Sequence, residues 1–158
     1  MELRITIFMM VGLIASSALN AATVSTPLSV TLSVGAGSCS VLAAPVAFVD
    51  TGTFPIYADG SVTVTCSNGS NYSIGLDGGL HYDGVGRWVD DGNGNSVQYL
   101  LFQDASYLTL WGDGVNNGPV LNDVGNGASQ THPVYGAIPG GNFGAGPSSD
   151  AVNVSVNY

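Results

Sequence analysis

The sequence predicts an all-β sandwich, and three observations carry that reading. Apolar and polar residues alternate with period two in several short segments. The segments are separated by clusters of Gly, Asn, Asp and Ser, which favour tight turns. Residues that stabilise helices are scarce: only 8% of the 158 residues are charged and 23 are Gly, against roughly 25% and roughly 7% in an average soluble domain.

Thr23–Val34 has the strictest alternation, with Val24, Thr26, Leu28, Val30, Leu32 and Val34 on one side and Thr23, Ser25, Pro27, Ser29, Thr31 and Ser33 on the other. Pro27 has no N–H to give a ladder, so continuous pairing is expected from about Leu28. Gly35-Ala36-Gly37 breaks the strand and Cys39–Leu42 resumes one. Ser61–Cys66 sets Val62, Val64 and Cys66 on one face, and Asn71–Leu76 does the same with Tyr72, Ile74 and Leu76. Val97–Gln103, Leu108–Trp111 and Val134–Ile138 are shorter candidates. Ala151–Tyr158 closes the chain, with Val152, Val154, Val156 and Tyr158 alternating with Asn153, Ser155 and Asn157.

The N-terminus reads as an export signal. Met1–Arg4 supplies one basic residue, Ile5–Leu19 an apolar run, and Asn20-Ala21-Ala22 a small-residue cleavage site. Cleavage is expected after Ala21 or Ala22. The apolar run is shorter than the ~20 residues a membrane span needs, so no stable membrane insertion is expected. The domain reading is therefore a signal peptide over 1–21, an N-terminal strand segment over 22–36 and a sandwich over 37–158.

Without the signal the chain keeps ten Asp and Arg87 and has no Lys or Glu, so the formal charge stays at −9. That excludes a basic face for DNA or RNA phosphates. The 45% hydrophobic content argues against a disordered polyanion. Cys39 and Cys66 are the only cysteines. In an exported chain they are expected to form a disulfide, with two buried free thiols as the alternative. No His lies near either for zinc.

Catalysis is not expected. His81 and His132 are the only imidazoles, and no Ser or Cys motif frames a nucleophile. Asp59, Asp77, Asp83, Asp91 and Asp113 each precede a Gly, where turn chemistry explains them. Asp91-Gly92-Asn93-Gly94-Asn95 begins like a calcium loop, but Ser96 stands where a Gly should follow and the later Glu is missing. A plain turn is the better reading. No metal and no cofactor is expected.

The two ends of the chain carry a mechanism. An immunoglobulin-type sandwich normally has a strand after its F strand. If Ala151–Tyr158 is the F strand, one sheet edge is left uncovered beside an apolar groove. Such an edge invites another strand. Thr23–Val34 from a neighbouring copy fits it, by donor-strand complementation. The competing reading makes Thr23–Val34 an ordinary first strand of its own sheet.

The ordered set of motifs resembles the spore coat protein U domain family, which includes subunits of archaic (Csu-type) chaperone–usher pili. The pattern runs through Cys39-Ser40-Val41, Gly60–Cys66, Tyr72–Gly79, Arg87, Tyr99–Phe102, Trp111-Gly112-Asp113-Gly114, Val134–Pro139 and Asp150–Tyr158. It departs at Pro147-Ser148-Ser149, which leads into the last strand, and at Val89. The resemblance implies an incomplete immunoglobulin-like β-sandwich completed by a donor strand from a neighbouring subunit. It implies Val24, Leu28, Val30, Leu32 and Val34 as donor residues, and Val152, Val154, Val156 and Tyr158 as the acceptor-groove edge. The implied partners are identical or related pilins, a periplasmic chaperone with a basic cleft for the terminal carboxylate, and an outer-membrane usher. The implied place is a surface fimbrium used in attachment and biofilm formation. The alternative is a secreted monomeric sandwich that binds carbohydrate, with Trp88 and Trp111 stacking on sugar rings.

Overall fold

A computed structural model describes residues 23–26, 28–32, 38–144 and 146–158. The signal segment at 1–21 and Val34 lie outside the described residues. The described residues form eleven strands and no helix. They are β1 (Thr23–Thr26), β2 (Leu28–Leu32), β3 (Cys39–Ala44), β4 (Val46–Val49), β5 (Ile56–Cys66), β6 (Asn71–Leu76), β7 (Arg87–Asp90), β8 (Ser96–Phe102), β9 (Leu121–Val124), β10 (Ser129–Ile138) and β11 (Val152–Asn157).

One sheet has the order β3-β5-β10-β8-β7, the other β2-β11-β6-β9, and β1 pairs β4. The apolar face of each strand explains the layering. Val62, Val64 and Cys66 of β5, Val134 and Ile138 of β10, and Val97, Tyr99 and Leu101 of β8 are buried. So are Tyr72, Ile74 and Leu76 of β6 and Val152, Val154 and Val156 of β11, and all of these belong to one core. These are the residues whose period-two spacing puts them on one face of a strand. Cys39 and Cys66 are register partners in β3 and β5 and are joined by a disulfide.

Several elements differ from the sequence reading. The segment 108–111 forms only a single bridge, Phe102 to Leu110, and its Trp111 turns inward and is fully buried. The strand expected at Val134–Ile138 starts at Ser129. Its first half is polar and hides the periodicity. On the outer face Thr63 pairs with Thr131 at 3.0 Å and Thr65 with Ser129 at 2.9 Å through their hydroxyls. Pro133 is tolerated inside β10 because β8 pairs only with Tyr135–Ala137, so Pro133 has no ladder bond to lose on that side. Strands β4, β7 and β9 are four residues each, too short for their alternation to stand out. His132 lies in β10.

The edge of β11 is the main finding. In the single chain β2 lies beside β11, in parallel, with Leu28, Val30 and Leu32 in register with Val152, Val154 and Val156. The strand position expected to await a neighbour is thus held here by the chain's own N-terminal segment, as the competing reading had it. β1 ends on β4 at Thr26, and β2 begins on β11 at Leu28.

The disulfide gives a direct stability expectation. It spans 27 residues, and loop closure of that size stabilises by about 3–4 kcal/mol. A Cys39→Ala, Cys66→Ala double variant should lose about that much in urea unfolding; a loss under ~1 kcal/mol would count against the entropic account.

Candidate functional site

The site is the strand β11 with its two neighbours and the polar frame that fixes its start. Val152, Val154 and Val156 are each 0% exposed. β6 flanks β11 antiparallel, with Val154 opposite Leu76 and Val156 opposite Ile74. β2 takes the other edge. Because the side-chain period is two, a one-residue slip of β2 would set Ser29 and Thr31 beside the valines. The three-valine spacing therefore specifies register for whatever strand occupies that edge. Tyr158 is half-buried and packs on the core just past the last ladder pair. Beside it opens a shallow depression of about 740 Å³ lined by Tyr72, Ser73, Asp123 and Asn157 among others.

The start of β11 is pinned by the loop after β6. Asp77 accepts from the Asn153 backbone N–H at 2.9 Å and from its Nδ2 at 2.6 Å. Leu80 N–H donates to the Ala151 carbonyl at 3.1 Å. Asp150, enclosed by protein, accepts from the Tyr99 hydroxyl at 2.6 Å, the His81 backbone N–H at 3.1 Å and His81 Nδ1 at 3.2 Å. Burial, then the Asp150 carboxylate, drive the Tyr99 hydroxyl far above its ordinary range, so it stays a donor. Gly79, at φ +81°, leaves room for Asp150, because a Cβ there would collide with the carboxylate.

Arg87 sits beneath this frame, 2% exposed. Its Nε donates to the Asp77 carbonyl at 2.8 Å, and its Nη2 donates to the carbonyls of Leu76 at 2.7 Å and Trp111 at 3.0 Å. Desolvation pulls its pKa down, while Tyr99 and the carboxylates of Asp77, Asp113 and Asp150 oppose that. The Trp111-Gly112-Asp113-Gly114 motif closes the same region. The indole N–H donates to the Ile74 carbonyl at 3.0 Å, and Asp113 accepts from the backbone N–H groups of Val115 and Asn116. Gly112 is required, since a Cβ there would strike the backbone at Asn116 and Gly118. The motif is a structural clasp on β6, the partner of β11.

A second polar bridge ties the two sheets near Tyr158. The Tyr72 hydroxyl lies 2.8 Å from His132 Nε2 and 3.2 Å from the Asp123 carboxylate. Burial, helped by Asp123, pushes Tyr72 up to about 12. Burial holds His132 below its ordinary 6.5, against the opposing pull of Asp123.

The structure thus brings Val152, Val154, Val156 and Tyr158 together with the backbone of Leu28, Val30 and Leu32. It sets Val24 apart, in β1 on β4. Trp111 is buried and its N–H is spent, so it offers no face to a sugar, which corrects that part of the carbohydrate reading. Trp88 is half-buried. Among the described residues no group of three His, Cys, Asp or Glu is placed to hold a metal ion. Asp91 uses its carboxylate on Asn93 N–H and on the N–H and Nδ2 of Asn95, as a turn does. Sequence reasoning missed Asp150 and Tyr99 as a buried pair. The available signals were an Asp not followed by Gly and a lone Arg in a chain with so few cations.

Two expectations follow from this geometry. Arg87→Lys leaves at least one buried carbonyl unpaired and should cost about 2–4 kcal/mol by urea unfolding; an unchanged midpoint would refute the three-carbonyl role. For His132 the folded pKa is depressed, so the unfolded chain binds more protons below 6.5. Stability should therefore be full above that pH and fall as pH drops through the lower, folded value. A His132→Gln variant should flatten that limb of the pH–stability curve, and an identical curve would remove His132 as its source.

Comparison with known proteins bears on the same region. The family model for the Spore Coat Protein U domain matches residues 24–155. None of the curated proteins compared matches the chain. Among solved structures the chain is similar to one described as a chaperone–tip adhesion subunit pre-assembly complex from the archaic chaperone–usher Csu pili of Acinetobacter baumannii. The TM-score is 0.60 and the identity 22%, over 77% of this chain and 40% of that chain. At that identity the likeness is one of fold, and this chain spans well under half the length of the other.

Proposed function

The chain belongs to the Spore Coat Protein U domain family, and we propose that it is a subunit of a chaperone–usher pilus, polymerised by strand donation between copies. The single observation that carries this is the family match over residues 24–155; the parallel ladder of β2 on β11, five residues long, marks the edge that a donor would take. In sequence the segment precedes Cys39 and so lies outside the disulfide-linked body. A strand of the same sequence from another copy satisfies the same main-chain groups. It can also enter antiparallel, and antiparallel ladders are slightly more stable per residue. The position is therefore exchangeable.

A donor that presents Leu28, Val30, Leu32 and Val34 to the groove would gain roughly 6–12 kcal/mol before ordering costs. One copy gives at one end and receives at another, so the contact does not close and a filament grows. Before assembly a periplasmic chaperone covers the edge, and an outer-membrane usher then exchanges it for a donor. Surface attachment and biofilm formation are the roles such filaments serve.

Electrophoresis of purified material with and without boiling tests this. Unheated samples should give a ladder that collapses to one band on heating. Deleting 23–34 should leave a body that receives a donor but gives none, and Val154→Asp should block receipt. A lone monomer in both lanes, or assembly unchanged by both variants, overturns the proposal.

A further inference from the structure

The outer face of the five-stranded sheet changes character at one end. Along most of β5 and β10 it shows Thr and Ser. At the far end Asp59, Tyr135 and Phe102 are successive register partners across β5, β10 and β8, so all three stand on one face. Tyr57 lies two residues before Asp59 on that face, 54% exposed. Over them lies Tyr107, from the connection after β8. Its ring centroid is 4.6 Å from Tyr57, 5.4 Å from Phe102 and 6.2 Å from Tyr135.

The loop that presents Tyr107 is built for it. Tyr107 has φ +55°, a conformation that costs a bulky side chain about 1–3 kcal/mol. The Asp104 carboxylate holds the turn by accepting the backbone N–H groups of Ser106 at 3.0 Å, Leu108 at 3.3 Å and Thr109 at 2.7 Å. This strained, braced placement sets the ring over the outer face of the sheet, opposite the core, against Tyr57, Phe102 and Tyr135. Asp59 places a carboxylate on this face beside the rings. Burial first, then Asp59 and the two neighbouring phenols, raise the Tyr107 hydroxyl above its ordinary 10.

We propose that this aromatic and acidic patch docks arginine side chains from a basic segment of another protein. Ring faces attract guanidinium groups, and Asp59 supplies a carboxylate beside them. Charge decides who the partner is. The chain has ten Asp, and beyond Arg4 its one Lys or Arg is Arg87, buried and spent on three carbonyls. A second copy therefore has no free Arg from its sandwich to offer, and the occupant is a different chain.

A fluorescein-labelled Arg-Gly repeat peptide, and the same peptide with citrulline for Arg, would be titrated against the full chain by anisotropy. Asp59→Asn and Tyr107→Ala should each weaken the Arg peptide about two- to five-fold. Tyr57→Ala, an exposed strand position, should do the same and guards against a loop that merely unfolds in Tyr107→Ala. Asp91→Asn makes the same charge change at the opposite end of β8, about 20 Å from Phe102 at strand rise, and should leave affinity unchanged. The citrulline peptide should not bind. Equal losses from Asp91→Asn and Asp59→Asn would show diffuse attraction and overturn the proposal. So would unaltered affinity in both Tyr variants, binding of the citrulline peptide, or displacement by a neutral oligosaccharide.

Discussion

The structure depends on the two edges of β11. Three valines there are fully buried, and a strand with such a face needs neighbours on both sides to keep its backbone groups paired away from water. β6 is a permanent neighbour, joined by register and by the Asp77 contacts to Asn153. The opposite edge is taken by a segment that arrives from outside the disulfide-linked body. The alternating Leu and Val of that segment match the alternating valines, so the edge selects for spacing and apolarity rather than for which molecule provides the strand.

That requirement explains the frame around Arg87 and Asp150. Apolar packing alone leaves a groove free to relax, since cores collapse around voids to differing degrees. Here the permanent parts are tied by directional bonds. Arg87 holds the carbonyls of Leu76, Asp77 and Trp111, and Asp150 holds Tyr99 and His81. A buried guanidinium is costly to desolvate. Three carbonyl acceptors and the nearby carboxylates of Asp77, Asp113 and Asp150 offset that cost.

How much of this was legible varied with the physical signal. β5, β6 and β11 were readable because Val62, Val64, Ile74, Leu76 and Val152–Val156 repeat at period two with polar residues between them. The disulfide was readable from two cysteines alone. β10 was half-hidden, because Gln130, Thr131 and His132 face a hydroxyl-rich outer surface and an intersheet polar bridge instead of plain apolar core. Trp111 was placed on a strand that does not form, since its apolar neighbours suggested one while Gly112 and Asp113 demand a tight turn. Asp150 could not be found by periodicity, because its role depends on Tyr99, 51 residues away. The parallel direction of β2 has no sequence signature, because the apolar pattern reads the same both ways.

The composition then makes sense as a consequence of that edge. Sheet edges are usually guarded against stray pairing by lysine, and this sequence contains none. A Lys in β2 or β11 would protect the edge by preventing the pairing on which the fold relies. The chain guards itself differently. Ten Asp and a formal charge of −9 make copies repel at a distance, so casual contact between sandwiches is disfavoured. If copies join by strand donation as proposed, only an inserted strand, with its burial of successive apolar side chains, gains enough to overcome that repulsion, and the specificity of association comes from register within the groove.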